Sequence, residues 1–422
     1  MKIVIIGAGP AGVSAAETLR AADPAVKITM VSREPYPPYS PPVLATYFLQ
    51  DDETIYWKGK DFAAQHKIEY LAPKNVVRID PLKKIIQFDD KSETSYDRLI
   101  LATGSTLYAP IKLSLAKPSA SPDTGFYNFK SMTAALKIKE KIRRGEARSA
   151  VIVGAGFIGT ELAIVLRELG LEVTQVEKES RVMPRLLDED SAEIVQQILE
   201  ERGIKILLNA KGTEFFGKTM AEGLTLDNGE KLFGDLMIAA TGVKPNVDFL
   251  KKSGFEVNWG LLVDDNLQTN FPDIYAAGDC AEVKDLLTGK RFVHAIYINA
   301  REQGQIAARN ALGEKVIYEG AHNMNSLKHL GISLIALGTR DKQEELVYSN
   351  GKDVLKKLYL NNGCLTGARL VGDIKNAGIY FTLMNRKVNV TSFKNLLLRK
   401  EFNMGYLIQN GLYPAGIMQN VV

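Results

Sequence analysis

The chain has 422 residues, room for two or three domains, and its 45% hydrophobic and 24% charged content is that of an ordinary globular protein. With 53 basic and 49 acidic side chains the net charge is +4, too mild to mark a nucleic-acid binder. Cys280 and Cys364, far apart in sequence, and four histidines exclude a disulfide framework and give no basis for a zinc or iron–sulfur site, so no metal is expected.

The first element is Lys2-Ile3-Val4-Ile5-Ile6, a short buried strand that runs into Gly7-Ala8-Gly9-Pro10-Ala11-Gly12 and a helix rich in small residues. So early a start leaves no room for a signal peptide, and no apolar run is long enough to span a bilayer; the cytoplasm is the expected location. Ile28-Thr29-Met30-Val31 is the next strand, followed by Ser32, Arg33 and Glu34, and Leu99-Ile100-Leu101-Ala102-Thr103-Gly104 closes the unit. Residues 111–125, with Lys117-Pro118 and Ser121-Pro122, read as a loop or crossing.

The pattern then recurs. Ala150-Val151-Ile152-Val153 leads into Gly154-Ala155-Gly156-Phe157-Ile158-Gly159, Val173-Thr174-Gln175-Val176 leads to Glu177, and Met237-Ile238-Ala239-Ala240-Thr241-Gly242 ends in the same triplet. Beyond about residue 320 the texture changes to strand-like runs, Ile332–Ala336 and Val354–Leu360, which predict a third domain of α+β type. The fold class is therefore α/β, with two Rossmann-like dinucleotide-binding domains, one interrupting the other, and a C-terminal α+β domain.

Each glycine turn has a physical task. Its glycines permit a tight turn, close approach of backbone to a pyrophosphate and tight helix–strand packing, and the helix behind it aims free N–H groups and a positive dipole end at the phosphates. Both copies follow a strand and open a helix, the context that makes the motif specific. Glu177 stands where a carboxylate accepts hydrogen bonds from the adenosine ribose and repels a 2′-phosphate, which predicts NADH over NADPH, with Lys178 and Arg181 nearby pulling the other way. In the first unit Glu34 is displaced from that position and is a weaker ribose candidate.

The two turns, both Ala-Thr-Gly triplets and the run Thr269-Asn270-Phe271-Pro272-Asp273-Ile274-Tyr275-Ala276-Ala277-Gly278-Asp279 together resemble the pyridine nucleotide–disulfide oxidoreductase superfamily. Within it the likeness is to NADH oxidases, rubredoxin and ferredoxin reductases and the flavoprotein part of NADH-dependent nitrite reductases. It covers essentially the whole chain, including Asn325-Ser326-Leu327-Lys328 and Leu370-Val371-Gly372-Asp373.

The resemblance implies FAD in the fold opened by Gly7 and NAD(H) in the fold opened by Gly154. The domains would be 1–110 with 240–315 for FAD, 111–239 for NAD(H), and 320–422 for an interface or partner. The implied FAD residues are Gly7, Gly9, Pro10, Ala11, Gly12, Ser32, Arg33, Glu34, Ser40, Pro41, Thr103, Gly104, Gly278, Asp279, Asn299 and Ala300. Those for NAD(H) are Gly154, Gly156, Phe157, Ile158, Gly159, Glu177, Thr241 and Gly242. Asp279 would bond the ribityl chain; a turn aspartate capping the next helix is the plain alternative. Asn299 with Glu302 reads as a capping-box-like start of a helix that would point its N-terminus at the flavin pyrimidine ring. Glu161 matches a family glutamate near the nicotinamide and is the catalytic candidate.

The chain also departs from the family. No cysteine occupies the helix Val13-Ser14-Ala15-Ala16-Glu17-Thr18-Leu19, and Ser40, Pro41 and Pro42 stand where a loop thiol would be. Disulfide reduction, thiol peroxidase and persulfide chemistry are thereby disfavoured, and Cys280 and Cys364 read as buried packing thiols. The arginine and lysine that ferredoxin-reductase relatives place around the paired prolines are also missing, since Ser40, Leu44 and Ala45 hold those places. Glu161 then either carries a raised pKa or pairs elsewhere.

The expected activity is FAD-dependent electron transfer between NADH and a one-electron carrier of ferredoxin or rubredoxin type, by hydride transfer to flavin N5. Alternatives are an NADH oxidase producing hydrogen peroxide, or a flavin- and NADH-binding sensor or complex subunit. The expected partners are NADH and an iron–sulfur protein, with homodimer and redox-complex subunit left open. The basic residues Arg386, Lys387, Lys394, Arg399 and Lys400 form a candidate carrier dock.

Overall fold

The computed structural model describes residues 1–117, 124–327, 331 and 333–409. Pro118, Ser121, Pro122, Lys328 and Ile332 of the motifs above lie outside the described residues. Packing divides the chain into two compact units, Met1–Val153 with Thr213–His322, and Gly154–Gly212 with the chain from Asn323 onward.

The first unit is organised by a five-stranded sheet in the order Ile274–Ala276, Arg98–Leu101, Lys2–Ile6, Lys27–Val31, Ile68–Leu71. All its pairings are parallel, with Ile5 opposite Met30 on one side and Ile100 on the other. Ile3, Val4, Ile5, Leu99, Ile100 and Leu101 are fully buried, as an apolar run without alternation demands when both sheet faces are covered. The strand Ile274–Ala276 comes from far along the chain, so the first fold is completed only after the second has been inserted. Three more parallel strands, Phe126–Tyr127, Leu236–Ala239 and Ser149–Val153, pair in that order within the same unit.

The helix Pro10–Ala22 begins with proline at its first position, where the missing N–H costs nothing and the fixed φ suits the helix. It buries the small residues Ala11, Gly12, Ala15 and Ala16 and packs against the return helix Tyr297–Ala311, which buries Ala300, Gly304, Ala307, Ala308 and Ala311. The approach is so close that a Cβ on Gly304 would lie 2.1 Å from the Ala11 carbonyl oxygen.

In the second unit Glu172–Val176 pairs in parallel with Ile204–Leu207, accompanied by the helices Phe157–Glu168 and Glu189–Glu201. The rest of this unit is an antiparallel sheet in the order Met324–Leu327, Ser333–Gly338, Cys364–Gly372, Val354–Asn361, Glu344–Asn350, with the helix Ala377–Asn385 against Cys364–Gly372. The α/β class with parallel, Rossmann-like units and a C-terminal α+β region is thus the observed one. Among the described residues no helix is long and apolar enough to cross a membrane.

The helix crossing yields a first prediction. Gly304→Ala forces the two helices apart and should cost about 1–3 kcal/mol, the usual penalty of overpacking. Thermal denaturation should show a lowered midpoint; an unchanged midpoint would mean that the crossing is slack.

Candidate functional site

The two glycine turns have the same construction. Gly7 sits at φ +116° and its N–H donates to the Val31 carbonyl at 2.8 Å; Gly154 sits at φ +108° and its N–H donates to Val176 at 2.7 Å. A Cβ on Gly7 would lie 2.0 Å from the Ala102 oxygen, and one on Gly12 would lie 2.0 Å from the Gly7 oxygen. These two glycines are fixed by close packing against main-chain oxygens, Gly12 within the turn and Gly7 against the end of the neighbouring strand.

Gly9 and Gly156 are different. A Cβ on either would meet nothing within 4 Å, so both face open space at the mouth of a helix. Neither helix has a side-chain cap or an acidic residue in its first turn. Uncapped N–H groups, a positive dipole end and clear space directly in front are what a pyrophosphate needs. The residues present therefore fit a dinucleotide at each turn.

Gly278, at φ +81°, is wedged between the starts of the two packed helices, its Cβ position 3.2 Å from Ala11 Cβ and 3.6 Å from Ala300 Cβ. Its N–H donates to Gln303 Oε1 at 2.7 Å. Gly7, Ala11, Gly12, Gly278, Asp279 and Ala300 are thus brought together at the carboxyl ends of the strands Lys2–Ile6 and Ile274–Ala276, the end where open α/β sheets bind ligands. Asp279 Oδ2 accepts from the Ser105 hydroxyl at 2.6 Å and from Lys130 Nζ at 3.1 Å. Sequence reasoning missed both partners. Ser105 directly follows the Ala-Thr-Gly triplet and could have been found; no spacing signals Lys130. Thr103 and Asn246 exchange hydrogen bonds of 2.9 Å through Thr103 Oγ1 and Asn246 Nδ2, and Gly104 opens onto free space.

Around the second strand, Ser32 is buried and turns its hydroxyl to the Glu34 backbone, while Arg33 is exposed. The Glu34 carboxylate is fully engaged: Oε2 accepts from Tyr39 at 2.7 Å, and Oε1 from the Thr133 N–H at 2.9 Å and its hydroxyl at 2.5 Å. Burial, reinforced by the Glu34 charge, pushes the Tyr39 phenol far above its usual range. Ser40 is buried, its N–H donating to Ile55 at 2.8 Å, and Pro41 is exposed beside it.

Asn299 departs from expectation. The helix starts at Tyr297 with Ile296 as its cap residue, and Asn299, already inside the first turn, is fully buried. Its Nδ2 donates to the His322 carbonyl at 2.8 Å and its Oδ1 accepts from the His322 N–H at 2.9 Å. The capping-box reading is therefore corrected. Asn299 ties the returning chain to the helix, because pairing with a distant backbone satisfies both ends of its amide. Burial raises the pKa of Glu302, whose carboxylate lies 3.9 Å from His322 Nε2.

In the second unit Glu177 is 7% exposed; its Oε2 accepts from the Ala155 N–H at 2.8 Å and its Oε1 from the Glu179 N–H at 3.1 Å. The carboxylate thus rests against the glycine turn it was expected to serve. Lys178 pairs with Glu179 at 3.4 Å, and Arg181 donates to the Leu187 carbonyl at 3.3 Å. Phe157, Ile158 and Gly159 form the first turn of the helix, Ile158 being 37% exposed, and Glu161 is half-buried on the same helix. Thr241 and Gly242 lie in the first unit, where the Thr241 hydroxyl donates to the Tyr108 carbonyl and the Tyr108 N–H to Gly242 at 2.9 Å.

Cys280 is sealed at 0% exposure, its thiol donating to Leu101 and Ala277 carbonyls at 3.3 Å each, and burial pushes its pKa up. Cys364 is not the buried thiol expected. It opens a strand after the turn Asn362-Gly363, stays partly exposed and donates to Lys387 O at 3.3 Å. Alkylation of the folded protein should therefore modify Cys364 and spare Cys280; peptide mapping that finds Cys280 labelled without unfolding would contradict this packing.

Paired glycine-turn folds, each with open space before an uncapped helix, define a protein of the dinucleotide-binding class. Residues 1–307 match the profile of the pyridine nucleotide-disulphide oxidoreductases, and the chain belongs to that family. It is 31% identical over 402 residues to an NADH oxidase of Methanocaldococcus jannaschii, covering 88% of each chain. It is 34% identical over 317 residues to a rubredoxin-NAD(+) reductase of Pseudomonas putida, covering 74% of this chain and 80% of that one. In fold it matches, with a TM-score of 0.84 and 23% identity, 99% of a chain in the covalent putidaredoxin reductase–putidaredoxin complex, over 98% of its own length. The chain is an FAD-dependent oxidoreductase that uses NAD(H).

Proposed function

We propose that the chain carries electrons between NADH and a small iron–sulfur protein of rubredoxin or ferredoxin type, in the cytoplasm. The carrying observation is the fate of its two thiols. Cys280 is sealed among carbonyls and Cys364 lies against Lys387 in the C-terminal region, while serine and prolines fill the loop at 40–42. That leaves no thiol relay, so the chemistry of electron release would have to come from FAD. FAD supplies the chemistry that nicotinamide lacks, accepting a hydride and releasing electrons singly. The relative named as a rubredoxin reductase supports a carrier protein as acceptor. The relative named as an NADH oxidase supports a second reading, in which oxygen is the acceptor.

In this reading residues 1–110 and 240–315 hold FAD, 111–239 hold NAD(H), and 320–422 form the partner region. Gly7, Gly9, Pro10, Ala11 and Gly12 receive the FAD pyrophosphate, and Asp279, oriented by Ser105 and Lys130, bonds the ribityl hydroxyls. Ser32, Arg33, Glu34, Ser40, Pro41, Thr103, Gly104, Gly278, Asn299 and Ala300 line the rest. Gly154, Gly156, Phe157, Ile158 and Gly159 would receive NADH, with Glu177 on the ribose and Glu161 near the nicotinamide; Thr241 and Gly242 are the remaining NAD(H) candidates. The neighbouring cations are already turned to Glu179 and Leu187, which favours NADH over NADPH.

Replacing Asp279 by alanine strands Ser105, Lys130 and the ribityl hydroxyls, and should weaken FAD binding by about 1–3 kcal/mol. Flavin retained as tightly as in the wild type would remove Asp279 from the site.

The acceptor is tested by stopped-flow reoxidation of the NADH-reduced protein with an acidic ferredoxin, a rubredoxin or oxygen. The carriers should win, and carrier reduction alone should slow as salt rises, because exposed cations steer the encounter. Arg386, Lys387, Arg399 and Lys400 are exposed and available for this, whereas Lys394 is tied to Glu344 at 2.5 Å. Reversing the charge of Arg399 and Lys400 should reproduce the high-salt rate at low salt. If oxygen reoxidises the protein faster than any carrier, the oxidase reading replaces this one.

A further inference from the structure

The segment that follows Glu177 is gripped by the C-terminal sheet of its own unit. Arg340, just after the strand Ser333–Gly338, donates from NH1 to the Leu187 carbonyl at 2.7 Å and from NH2 to the Pro184 carbonyl at 3.3 Å. Arg369, on Cys364–Gly372, donates from Nε to the Leu186 carbonyl. Its NH1 is held by the Leu337 and Ala368 carbonyls at 2.6 and 2.7 Å, and the guanidinium lies 5.5 Å over the Tyr359 ring. Next along the loop, Asp188 caps the helix Glu189–Glu201 through Oδ1 (3.0 Å to the Ser191 N–H). Its Oδ2 takes Lys357 Nζ at 2.8 Å and the Tyr359 hydroxyl at 2.7 Å.

The same loop reaches the glycine turn. The Met183 N–H donates to the Ala155 carbonyl at 2.7 Å, while the Ala155 N–H donates to Glu177 at 2.8 Å. The peptide groups of Ala155 are thus fixed on one side by the carboxylate and on the other by the gripped loop. Met183 stands at φ +47°, a left-handed conformation that is costly for a non-glycine residue and persists only where surroundings over-determine it. Its neighbours Leu186 and Leu187 both donate back to the Met183 carbonyl at 2.9 Å, and both present their own carbonyls to the arginines.

We propose that Arg340 and Arg369 are positioning residues for the adenosine half of NADH, which set the loop 183–188 and through it the Ala155–Glu177 contact. An apolar pair would pack the sheet against the loop without the desolvation penalty of a guanidinium that is 2% exposed. What the two forked donors add is direction, since they fix where the carbonyl groups of Pro184, Leu186 and Leu187 point. The C-terminal sheet thereby determines how well the nucleotide turn is formed. The inference rests on Glu177 and the Gly154 turn receiving NADH.

The test is anaerobic stopped-flow reduction of the FAD-loaded full chain by NADH, with ADP-ribose as a competitor that carries only the adenosine half. Arg340→Met should raise the NADH dissociation constant and the ADP-ribose inhibition constant by the same factor, about tenfold or one 1.4 kcal/mol decade. The limiting rate of flavin reduction should stay unchanged, a split that general loosening of the protein would not give. Arg340→Lys should recover part of the affinity. Arg369→Met should act in the same sense; if it does not fold, Arg340→Met decides. Wild-type binding of NADH and ADP-ribose by a folded Arg340→Met protein overturns the proposal, as does a fall in limiting rate at unchanged affinity. Glu177→Gln separates the two readings. If it leaves ADP-ribose binding intact, the ribose role of Glu177 falls, and weakened binding in Arg340→Met then assigns the grip to the Gly154 turn alone.

Discussion

Main chain meets main chain where the first turn, the first helix and the return helix cross, and the fold opened by Gly7 is built around that approach. Gly12 lies on the Gly7 carbonyl, Gly7 on the Ala102 carbonyl, Gly304 on the Ala11 carbonyl, and Gly278 between Ala11 and Ala300. A methyl group at Gly7, Gly12 or Gly304 would push apart backbones that have no flexible end to yield. Strands therefore end, helices begin and the Gly-Asp element arrives within one small volume, leaving open space in front of Gly9 at the start of the helix.

The second turn repeats the hydrogen bonds of the first but differs in its support. At Gly7 the surroundings are two helices packed through small residues. At Gly154 the conformation of Ala155 depends on a carboxylate and on a loop carried by the C-terminal sheet. The division of the chain into compact units reflects this, since residues 154–212 cluster with the C-terminal sheet. One sequence motif thus appears twice with two kinds of mechanical backing.

What could be read from the sequence was local. Strand, glycine turn and helix follow one another within a few residues, so the two folds and the glycines at 7, 9, 12, 154 and 156 were legible from spacing and hydrophobic runs. So was Asp279, whose position in a long motif carries it. The partners that give these residues their environment were not. Lys130 reaches Asp279, Thr133 engages Glu34, and His322 holds Asn299 across long separations that no periodicity encodes. Asn299 misled for the same reason. Asparagine followed three residues later by glutamate looks like a helix start, yet a distant backbone competes for the amide and wins it. Cys364 misled through its strand setting, which buries most of the residues after it but leaves the first one, at the turn, partly exposed.

The late strand Ile274–Ala276 also governs how the chain is made. It supplies the edge partner of Arg98–Leu101, and the return helix that covers the crossing follows it, so more than half of the 422 residues must leave the ribosome before the sheet begun at Lys2 is finished. Until then Leu99, Ile100 and Leu101, fully buried in the native protein, form an apolar strand with one unpaired edge. The nascent protein thus spends most of its synthesis with a sticky, half-built cradle. The sheet begun at Lys2 becomes complete only after the second glycine-turn fold has been translated.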